Sequence, residues 1–199
     1  GSGNIGHAGR PGEVGGSAPA DGGGITFPDR ISNEKWVKDN YSDISFNPKE
    51  VRATSLYRST RSLNPQLREG KISNFGKVVV GDLDNAINKS SLPEDITVFR
   101  GVGNDVFPSN PPPMTGVIFK DKAYISTSFN KKVAERFAKG GTIMEITAGK
   151  GTKALPMFAI NKNISGISQD VLAESELILG RESKFRIISD TMKGKTRLL

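Results

Sequence analysis

The spacing of apolar side chains changes once along this chain, near Ile96, and that change limits the folds the chain can adopt. Before Ile96, apolar residues recur every three or four positions in three segments, which is the spacing of amphipathic helices. After it, short β-branched and aromatic runs are separated by turn-rich loops, a pattern typical of strands. Helices that precede a block of strands predict an α+β fold rather than alternating βαβ units. We therefore expect a helical N-terminal half followed by a β core.

Two of the predicted helices carry clear start signals. Asn47 can cap the second N-terminal helix, and Pro48 suits its first turn. Within the strand-rich half, the segment NKKVAERFAKG predicts another helix, with Asn130 as its N-cap and Gly140 at its end. The apolar spacing of this helix places Phe137 in the core.

The first 27 residues are glycine-rich. Residues 1–24 hold ten of the 23 glycines and almost no bulky apolar side chain. Such a segment buries too little surface to offset the entropy lost on ordering. We predict a disordered linker or tag over 1–27 and a single folded domain over 28–199. His7, the one histidine, lies in this segment, so a Ser-His-Asp triad or a histidine-ligated metal is not expected in the domain.

The composition excludes several other classes of protein. There is no cysteine, so neither disulfides nor thiolate catalysis is available. No apolar run reaches the ~18 residues of a membrane span, and no signal peptide is apparent. The net charge of +7 is scattered along the sequence, and no nucleic-acid-binding motif accompanies it. We expect a monomer with a solvated basic surface, no metal, no membrane span and no nucleic-acid partner.

An arginine stands inside one of the most apolar predicted strands, TVFRG. A buried guanidinium needs a fixed anionic partner, and its planar fork suits a carboxylate or a phosphate. Gly101, directly after Arg100, would let a ligand approach the backbone closely. The alternative is an edge-strand arginine that points to solvent.

The next strand, YISTSF, carries three hydroxyl side chains in a row. Ser126 and Ser128 would share one face, and Thr127 would point the other way. Hydroxyls in strands usually pair across the sheet or face water. The functional alternative is that Ser126 holds a catalytic carboxylate by a hydrogen bond.

Two glutamates, Glu174 and Glu176, flank Ser175 at the head of the predicted strand ESELILG. Residues two apart on a strand share a face, so the two carboxylates would repel each other. A polarised carboxylate pair would explain the arrangement through catalysis. Exposure of both side chains on an edge strand is the plainer alternative.

In this order and on successive strands, VFRG, YISTSF and ESELIL resemble the arginine-type mono-ADP-ribosyltransferases of bacterial toxins. The resemblance covers about residues 33–190. It implies that residues 28–199 form one catalytic domain, whose mixed, mainly antiparallel β core of two sheets makes a cleft for NAD, the substrate. It also implies that no metal is needed. It also implies that Arg100 grips the diphosphate and nicotinamide ribose, and that Gly101 bonds the nicotinamide amide. Ser126 would orient the catalytic glutamate, and Thr127 would shape the nicotinamide pocket. Phe129, directly after the hydroxyl run, is a candidate to stack on the nicotinamide; Phe137 and Phe158 are alternatives, although Phe137 fits a helix core better.

The same resemblance gives Glu176 the role of the catalytic glutamate and Glu174 that of positioning or activating the acceptor. Cleavage of the nicotinamide bond develops positive charge on the ribose, which a carboxylate can stabilise. Glu-x-Glu in this family usually accompanies modification of arginine, so arginine is the expected acceptor residue, with threonine or another residue as the alternative. The loop at 161–173 would contact the target protein.

The resemblance further implies a host acceptor protein, with actin as the first target and a Rho-type GTPase as the second. It implies secretion and delivery into the host cytosol, and the C-terminal cargo of a Tc-type toxin complex is one source considered. Two other readings stay open at this point. The site could hydrolyse NAD without a protein acceptor, or the chain could be a basic binding module without catalysis.

Overall fold

The computed structural model describes residues 23–104, 113–161 and 174–199. Within those ranges the helices are α1 (Arg30–Tyr41), α2 (Pro48–Ser59), α3 (Leu63–Glu69), α4 (Asn74–Asn88), α5 (Lys131–Ala138) and α6 (Met157–Asn161). The strands are β1 (Ile96–Val102), β2 (Ile118–Asp121), β3 (Ile125–Ser128), β4 (Thr142–Ala148), β5 (Ala154–Pro156), β6 (Glu176–Leu179), β7 (Ser183–Arg186), β8 (Thr191–Lys193) and β9 (Thr196–Leu198). None of the helices in the described ranges has both the length and the hydropathy needed to cross a bilayer.

The helices α1, α2, α4 and α5 begin at residues whose side chains cap them. In α2 the Asn47 side chain accepts a hydrogen bond from Glu50 N, and the Glu50 carboxylate accepts one from Asn47 N. This reciprocal pair is a capping box, and it satisfies two of the amides that a helix start leaves without partners. The Asn130 side chain caps α5 in the predicted way by accepting from Lys132 N. The predicted starts of α2 and α5 are therefore confirmed.

Seven strands form one sheet in the order β5-β6-β3-β1-β4-β9-β8, and β2 pairs with β7 in a second, two-stranded sheet. Every pairing is antiparallel except that of β4 with β9. β1 and β4 pair along seven residues, from Ile96 opposite Ala148 to Val102 opposite Thr142. The predicted α+β fold with two mainly antiparallel sheets is confirmed.

The helices α2 and α4 pack together and cover one face of the large sheet. Their buried side chains meet those of the sheet around Leu83, Ile87 and Ile178, each with no exposed surface. A polar contact ties α4 to the strands, because the Tyr124 hydroxyl donates to Asp84 Oδ1 at 2.6 Å and Arg181 donates to both Asp84 oxygens. These contacts hold α4 in place, and α2, which borders the site described below, packs on α4.

The boundary of the glycine-rich segment lies earlier than predicted. Ile25 forms a bridge with Ile96, donating to Asp95 O and accepting from Thr97 N. The Phe27 ring packs against the rings of Trp36 and Phe129, with centroids 5.3 and 5.5 Å away. Residues 25 and 27 are thus part of the folded domain, because an extended backbone and one aromatic ring suffice to dock them. The rest of the predicted linker, residues 1–22, lies outside the described residues.

Candidate active site

Three neighbouring strands bring the predicted site residues into one cleft. Because β6, β3 and β1 are adjacent in the sheet, Glu176, Ser126 and Arg100 come together although they are far apart in the sequence. The cleft has a volume of about 250 Å³, and we call it the strand-side cleft. Six of the seven predicted residues line it: Arg100, Gly101, Ser126, Thr127, Glu174 and Glu176.

A second cleft of about 350 Å³ joins the first at Ser126, Glu174 and Glu176. We call it the helix-side cleft, because its other lining residues come from the end of α2 and the segment that follows. Those residues are Tyr57, Arg58, Thr60, Arg61 and Asn64. The two glutamates therefore stand at the junction of two cavities.

Arg100 lies on a central strand, which rules out the edge-strand alternative. Its Nη1 donates to the carbonyl oxygen of Ser126 at 2.9 Å. No carboxylate of the described residues pairs with it directly, and burial lowers the pKa of its guanidinium. A desolvated cation that lines a cleft favours an anionic ligand there.

Ser126 connects the strands to α2. Its hydroxyl lies 2.7 Å from the hydroxyl of Tyr57, and the Asn64 amide donates to the Tyr57 oxygen at 3.3 Å. Burial raises the pKa of the Tyr57 phenol, so Tyr57 stays protonated and can donate. The Ser126 hydroxyl is thereby held on the side of the cleft where Glu176 lies.

At the junction, the pKa of the Glu176 carboxyl departs from its ordinary value. Its side chain is 14% exposed, and burial raises its pKa. The positive charge of Arg58 and the Ser126 hydroxyl lower that pKa, whereas the negative charge of Glu174 raises it. Arg58 Nε lies 3.6 Å from Glu176 Oε1. The net result is a pKa above the ordinary range, a feature that clusters at catalytic groups.

Glu174 and Glu176 are close together for a reason other than the predicted one. The strand β6 begins only at Glu176, so Glu174 is not on it. Ser175 between them has a φ of 46°, in the left-handed region that a residue other than glycine rarely adopts. This backbone turn brings both carboxylates to the cleft. Strain of this kind is found where the surrounding structure enforces it, often at functional sites.

Residues 126–129 (STSF) hold this strained backbone in place. Ser128 Oγ donates to the carbonyl of Glu174 at 2.6 Å, and Phe129 N donates to the carbonyl of Ser175 at 3.0 Å. Thr127 is 4% exposed, and its hydroxyl donates to the carbonyl of Leu177. Apart from any role toward a ligand, these groups hold the backbone of the Glu-x-Glu segment in place.

Gly101 has a packing reason to be glycine. A Cβ built at this position would lie 1.8 Å from the carbonyl oxygen of Ala134 and 2.6 Å from the amide of Ala138. The helix α5 therefore packs directly on the backbone of β1. The close approach that the sequence suggested is made by a helix of the protein itself.

Two aromatic residues are placed opposite to the predictions. Phe129 is 2% exposed and packs edge-on against Phe27 and Trp36 in the core, so it cannot stack on a ligand in the cleft. Phe137, predicted to be a core residue of α5, is 57% exposed and lines the strand-side cleft. The helical spacing identified an apolar face correctly, but part of that face lines a cavity instead of the core.

Tyr57 and Arg58 line the helix-side cleft, but no pattern in the sequence marks either of them as a site residue. Basic residues near a helix C-terminus are common for electrostatic reasons, so Arg58 gave no signal above that background. The predicted target-contact loop falls largely on residues 162–173, outside the described residues. In the described ranges, no group of three His, Cys, Asp or Glu side chains is arranged to hold a metal ion.

Residues 33–199 match the family model described as ADP-ribosyltransferase exoenzyme. The chain belongs to this family. A relative in Enterococcus faecalis (strain ATCC 700802 / V583), named NAD(+)–arginine ADP-ribosyltransferase EFV, is 28% identical over 191 residues, which cover 81% of this chain and 37% of that protein. ADP-ribosyltransferase toxin AexT of Aeromonas salmonicida is 30% identical over 164 residues, covering 79% of this chain and 30% of that toxin.

The fold agrees with solved structures. The structure of C3stau2 from S. aureus with NAD matches with a TM-score of 0.73 and 19% identity, covering 88% of this chain and 96% of that chain. This chain spans about a third of the length of the curated relatives it matches. The prediction of an ADP-ribosyltransferase domain is confirmed at the level of the family. NAD as the substrate of this chain stays a prediction. The roles of the individual site residues stay predictions.

Proposed function

We propose that this domain is a toxin mono-ADP-ribosyltransferase that cleaves NAD and transfers ADP-ribose to an arginine side chain of a host protein. The observation that carries the proposal is the position of Glu176. Its carboxylate is largely buried, stands at the junction of two clefts and has guanidinium groups in both of them. Such a site suits an anionic substrate whose reacting carbon becomes positive.

The two clefts fit the parts of NAD. A diphosphate calls for guanidinium groups, and Arg100 on one side and Arg58 on the other supply them. An aromatic ring calls for an apolar surface, which Phe137 offers at the rim of the strand-side cleft. Family membership independently makes NAD the expected occupant.

The reaction requires little more than charge stabilisation at one point. When the bond between ribose C1′ and the nicotinamide nitrogen breaks, its electron pair stays on nicotinamide, which leaves as a neutral molecule. The ribose is left with an oxocarbenium-like positive charge. A Glu176 carboxylate that bonds the ribose 2′-hydroxyl stabilises that charge as it appears. The acceptor nitrogen then bonds to C1′ and loses a proton.

Glu174 is placed to handle that proton. It lines both clefts beside Glu176, so it can bind the incoming guanidinium and accept its proton. A carboxylate pairs well with a guanidinium, which favours arginine over an uncharged acceptor. The name of the Enterococcus faecalis relative, an arginine ADP-ribosyltransferase, supports the same acceptor.

Actin is the target we propose first and a Rho-type GTPase second. The formal charge of +7 suits an acidic partner surface. The name of the Aeromonas salmonicida relative describes a toxin, which supports secretion and delivery into the host cytosol. Origin as the cargo of a Tc-type toxin complex stays a prediction from sequence.

The proposal is tested by incubating the domain and Glu176→Gln with labelled NAD and a eukaryotic cell lysate, while nicotinamide release is measured in parallel. We expect one labelled protein band near the mass of actin, absent in the variant. Nicotinamide release at the same rate with and without lysate, and without label, would replace transfer by hydrolysis. Equal labelling by the two proteins would exclude the proposed role of Glu176.

A further inference from the structure

A second concave surface lies on α2 and α4, away from the two catalytic clefts. Both helices border it with side chains at the i, i+3, i+4, i+7 spacing that defines one helix face. The residues are Lys49, Arg52, Ala53 and Leu56 on α2, and Phe75, Val78, Val79 and Asp82 on α4. The groove between them has a volume of about 340 Å³. We call it the α2–α4 groove.

The α4 wall of the groove is apolar and exposed. Phe75 is 54% exposed and Val78 is 63% exposed, one turn apart on the helix. Beneath them, Val79 and Ala53 are buried in the core cluster, and Leu56 packs against it. The exposed pair is therefore continuous with an apolar floor, which distinguishes it from isolated surface hydrophobics.

The α2 wall is basic. Lys49 and Arg52 lie one turn apart and are both exposed. Neither side chain forms an ion pair with any residue that the structure describes. Asp82 is the one acidic residue of the groove and belongs to the α4 wall. One wall therefore offers apolar contacts and the other offers two cations available to a partner.

We infer that the α2–α4 groove is a docking site for an acidic amphipathic helix of the acceptor protein. A helix that lies between two helices presents anchors at the same i, i+3, i+4, i+7 spacing. Leu or Phe side chains on one of its faces would cover Phe75 and Val78. Glu or Asp side chains on the adjacent face would pair with Lys49 and Arg52.

Charge and shape disfavour the other occupants. A second copy of this basic chain would bring its own Lys49 and Arg52 toward like charges, at a cost in free energy. An anionic membrane needs a surface that can lie flat on it, whereas this apolar wall faces a concave groove that also holds Asp82. An acidic helix satisfies both walls at once.

The groove and the catalytic site share a helix. Arg52 and Arg58 are about 9 Å apart along the axis of α2, six residues at 1.5 Å each. A protein held in the groove is thus within a short reach of the helix-side cleft. This inference rests on the proposed transferase function, since docking there would raise the effective concentration of the acceptor.

The test compares two double variants, Phe75→Ala/Val78→Ser and Lys49→Glu/Arg52→Glu, with the wild-type domain. The matched control is Lys77→Glu, an exposed lysine of α4 outside the groove face. Each protein is assayed for nicotinamide release, for ADP-ribosylation of agmatine and for labelling of lysate protein. Agmatine is a small guanidine that reaches the site without docking. Circular dichroism melting confirms that each variant is folded.

We expect both double variants to label lysate protein about tenfold more slowly, the effect of losing central contacts of an interface. Agmatine modification and nicotinamide release should stay within about twofold of wild type, and Lys77→Glu should match wild type throughout. Equal losses on agmatine and protein, or no loss on either, would overturn the proposal.

A binding assay tests whether the α2–α4 groove binds an acidic amphipathic helix, even if no transferase activity is found. The probe is a fluorescent synthetic helix with Leu and Phe on one face and Glu beside them, followed by anisotropy at low and high salt. We expect binding by wild type that weakens with salt and is lost in Lys49→Glu/Arg52→Glu. Absence of binding by wild type overturns the docking site. So does groove-dependent sedimentation with phosphatidylserine vesicles, or a groove-dependent dimer in size-exclusion chromatography. Failure of the proposed function would instead appear as wild type that neither releases nicotinamide nor modifies agmatine.

Discussion

The two sides of the catalytic cleft are built in different ways. On the strand side, Arg100, Ser126 and Glu176 are fixed by the pairing of β1, β3 and β6. On the helix side, Tyr57 and Arg58 reach in from the last turn of α2. The difference indicates a division of labour. The strands fix the reacting groups in space, and the helix end adjusts the charge and hydrogen bonding around Glu176.

The strand side is tested most severely by Glu176→Gln. We expect transfer and nicotinamide release to fall by about 10³-fold, since a lost electrostatic stabiliser commonly costs this much. Stability should not fall. The wild-type pKa is raised in the folded state, so stability decreases as pH rises from the unfolded pKa through the folded one. At neutral pH the neutral glutamine avoids that cost, and the melting temperature should equal or exceed that of wild type.

The control for this change is Glu69→Gln, an exposed glutamate of α3 outside both clefts. It should leave rates and melting temperature unchanged. A melting temperature of Glu176→Gln well below wild type would show that the carboxylate is a structural group and not a strained functional one.

Gly101→Ala disturbs the packing of α5 on β1 without changing any charge. The new Cβ would meet the Ala134 carbonyl at 1.8 Å, so α5 must move away from β1. We expect a loss of about 3 kcal/mol in the free energy of unfolding, the upper part of the range for overpacking. Urea denaturation measures this loss. A change of under 0.5 kcal/mol would show that α5 is not held against the strand.

Glu174→Gln removes a negative charge next to Glu176. Because that charge raises the pKa of Glu176, its removal lowers the pKa, and the acid limb of kcat/KM for NAD should move to lower pH. Transfer to agmatine should fall by about a hundredfold and by more than nicotinamide release. A pH profile that does not move would show that the two carboxylates are not coupled.

Arg58→Gln, on the helix side, should shift the pKa of Glu176 in the opposite direction to Glu174→Gln. The Arg58 cation lowers the pKa of Glu176, so its loss raises that pKa and moves the acid limb to higher pH. We expect kcat/KM for NAD to fall by about tenfold to a hundredfold, in line with ~1.5–3 kcal/mol for a charge-assisted hydrogen bond. Arg61→Gln, in the segment after α2 that also lines the helix-side cleft, separates this effect from a general loss of positive charge. If both variants moved the acid limb equally, the specific pairing of Arg58 with Glu176 would be wrong.

The smallest effect concerns a glycine of the helical layer, Gly81 in α4. No atom lies within 4 Å of a Cβ built there, in contrast with Gly101. Alanine should therefore raise the free energy of unfolding by about 1 kcal/mol through better helix propensity, with unchanged rates. A destabilised Gly81→Ala would indicate a contact on that face of α4.

The contrast between the strand side and the helix side also explains which parts of the site could be predicted from the sequence. Strand residues alternate between faces, so a short motif such as YISTSF already specifies which side chains share a face. The capping pair Asn47 and Glu50 is equally local. The helix side depends on how α2 lies against the sheet, which is set by contacts between residues distant in sequence, such as Tyr57 with Ser126 and the packing of α2 on α4. No local pattern encodes those contacts.

The aromatic residues show a second limit. Apolar spacing tells which face of a helix avoids water, but a ligand cleft and a protein core are equally apolar. Phe137 was therefore placed in the core and Phe129 in the cleft, the reverse of what the structure has. The strands β8 (TMK) and β9 (TRL) have three residues each, and the helix α6 (MFAIN) has five, so these elements are too short for their apolar residues to show a period.

The left-handed backbone at Ser175 lies between Glu174 and Glu176, the two carboxylates to which the proposed mechanism gives different roles. Glu176 belongs to the rigid sheet, whereas Glu174 lies before the turn, at the end of the segment that precedes the strand. A substitution before this turn can therefore change the direction of Glu174 while the sheet keeps Glu176 in place. Under the proposed mechanism, acceptor choice and NAD cleavage could then evolve as separate traits on neighbouring residues.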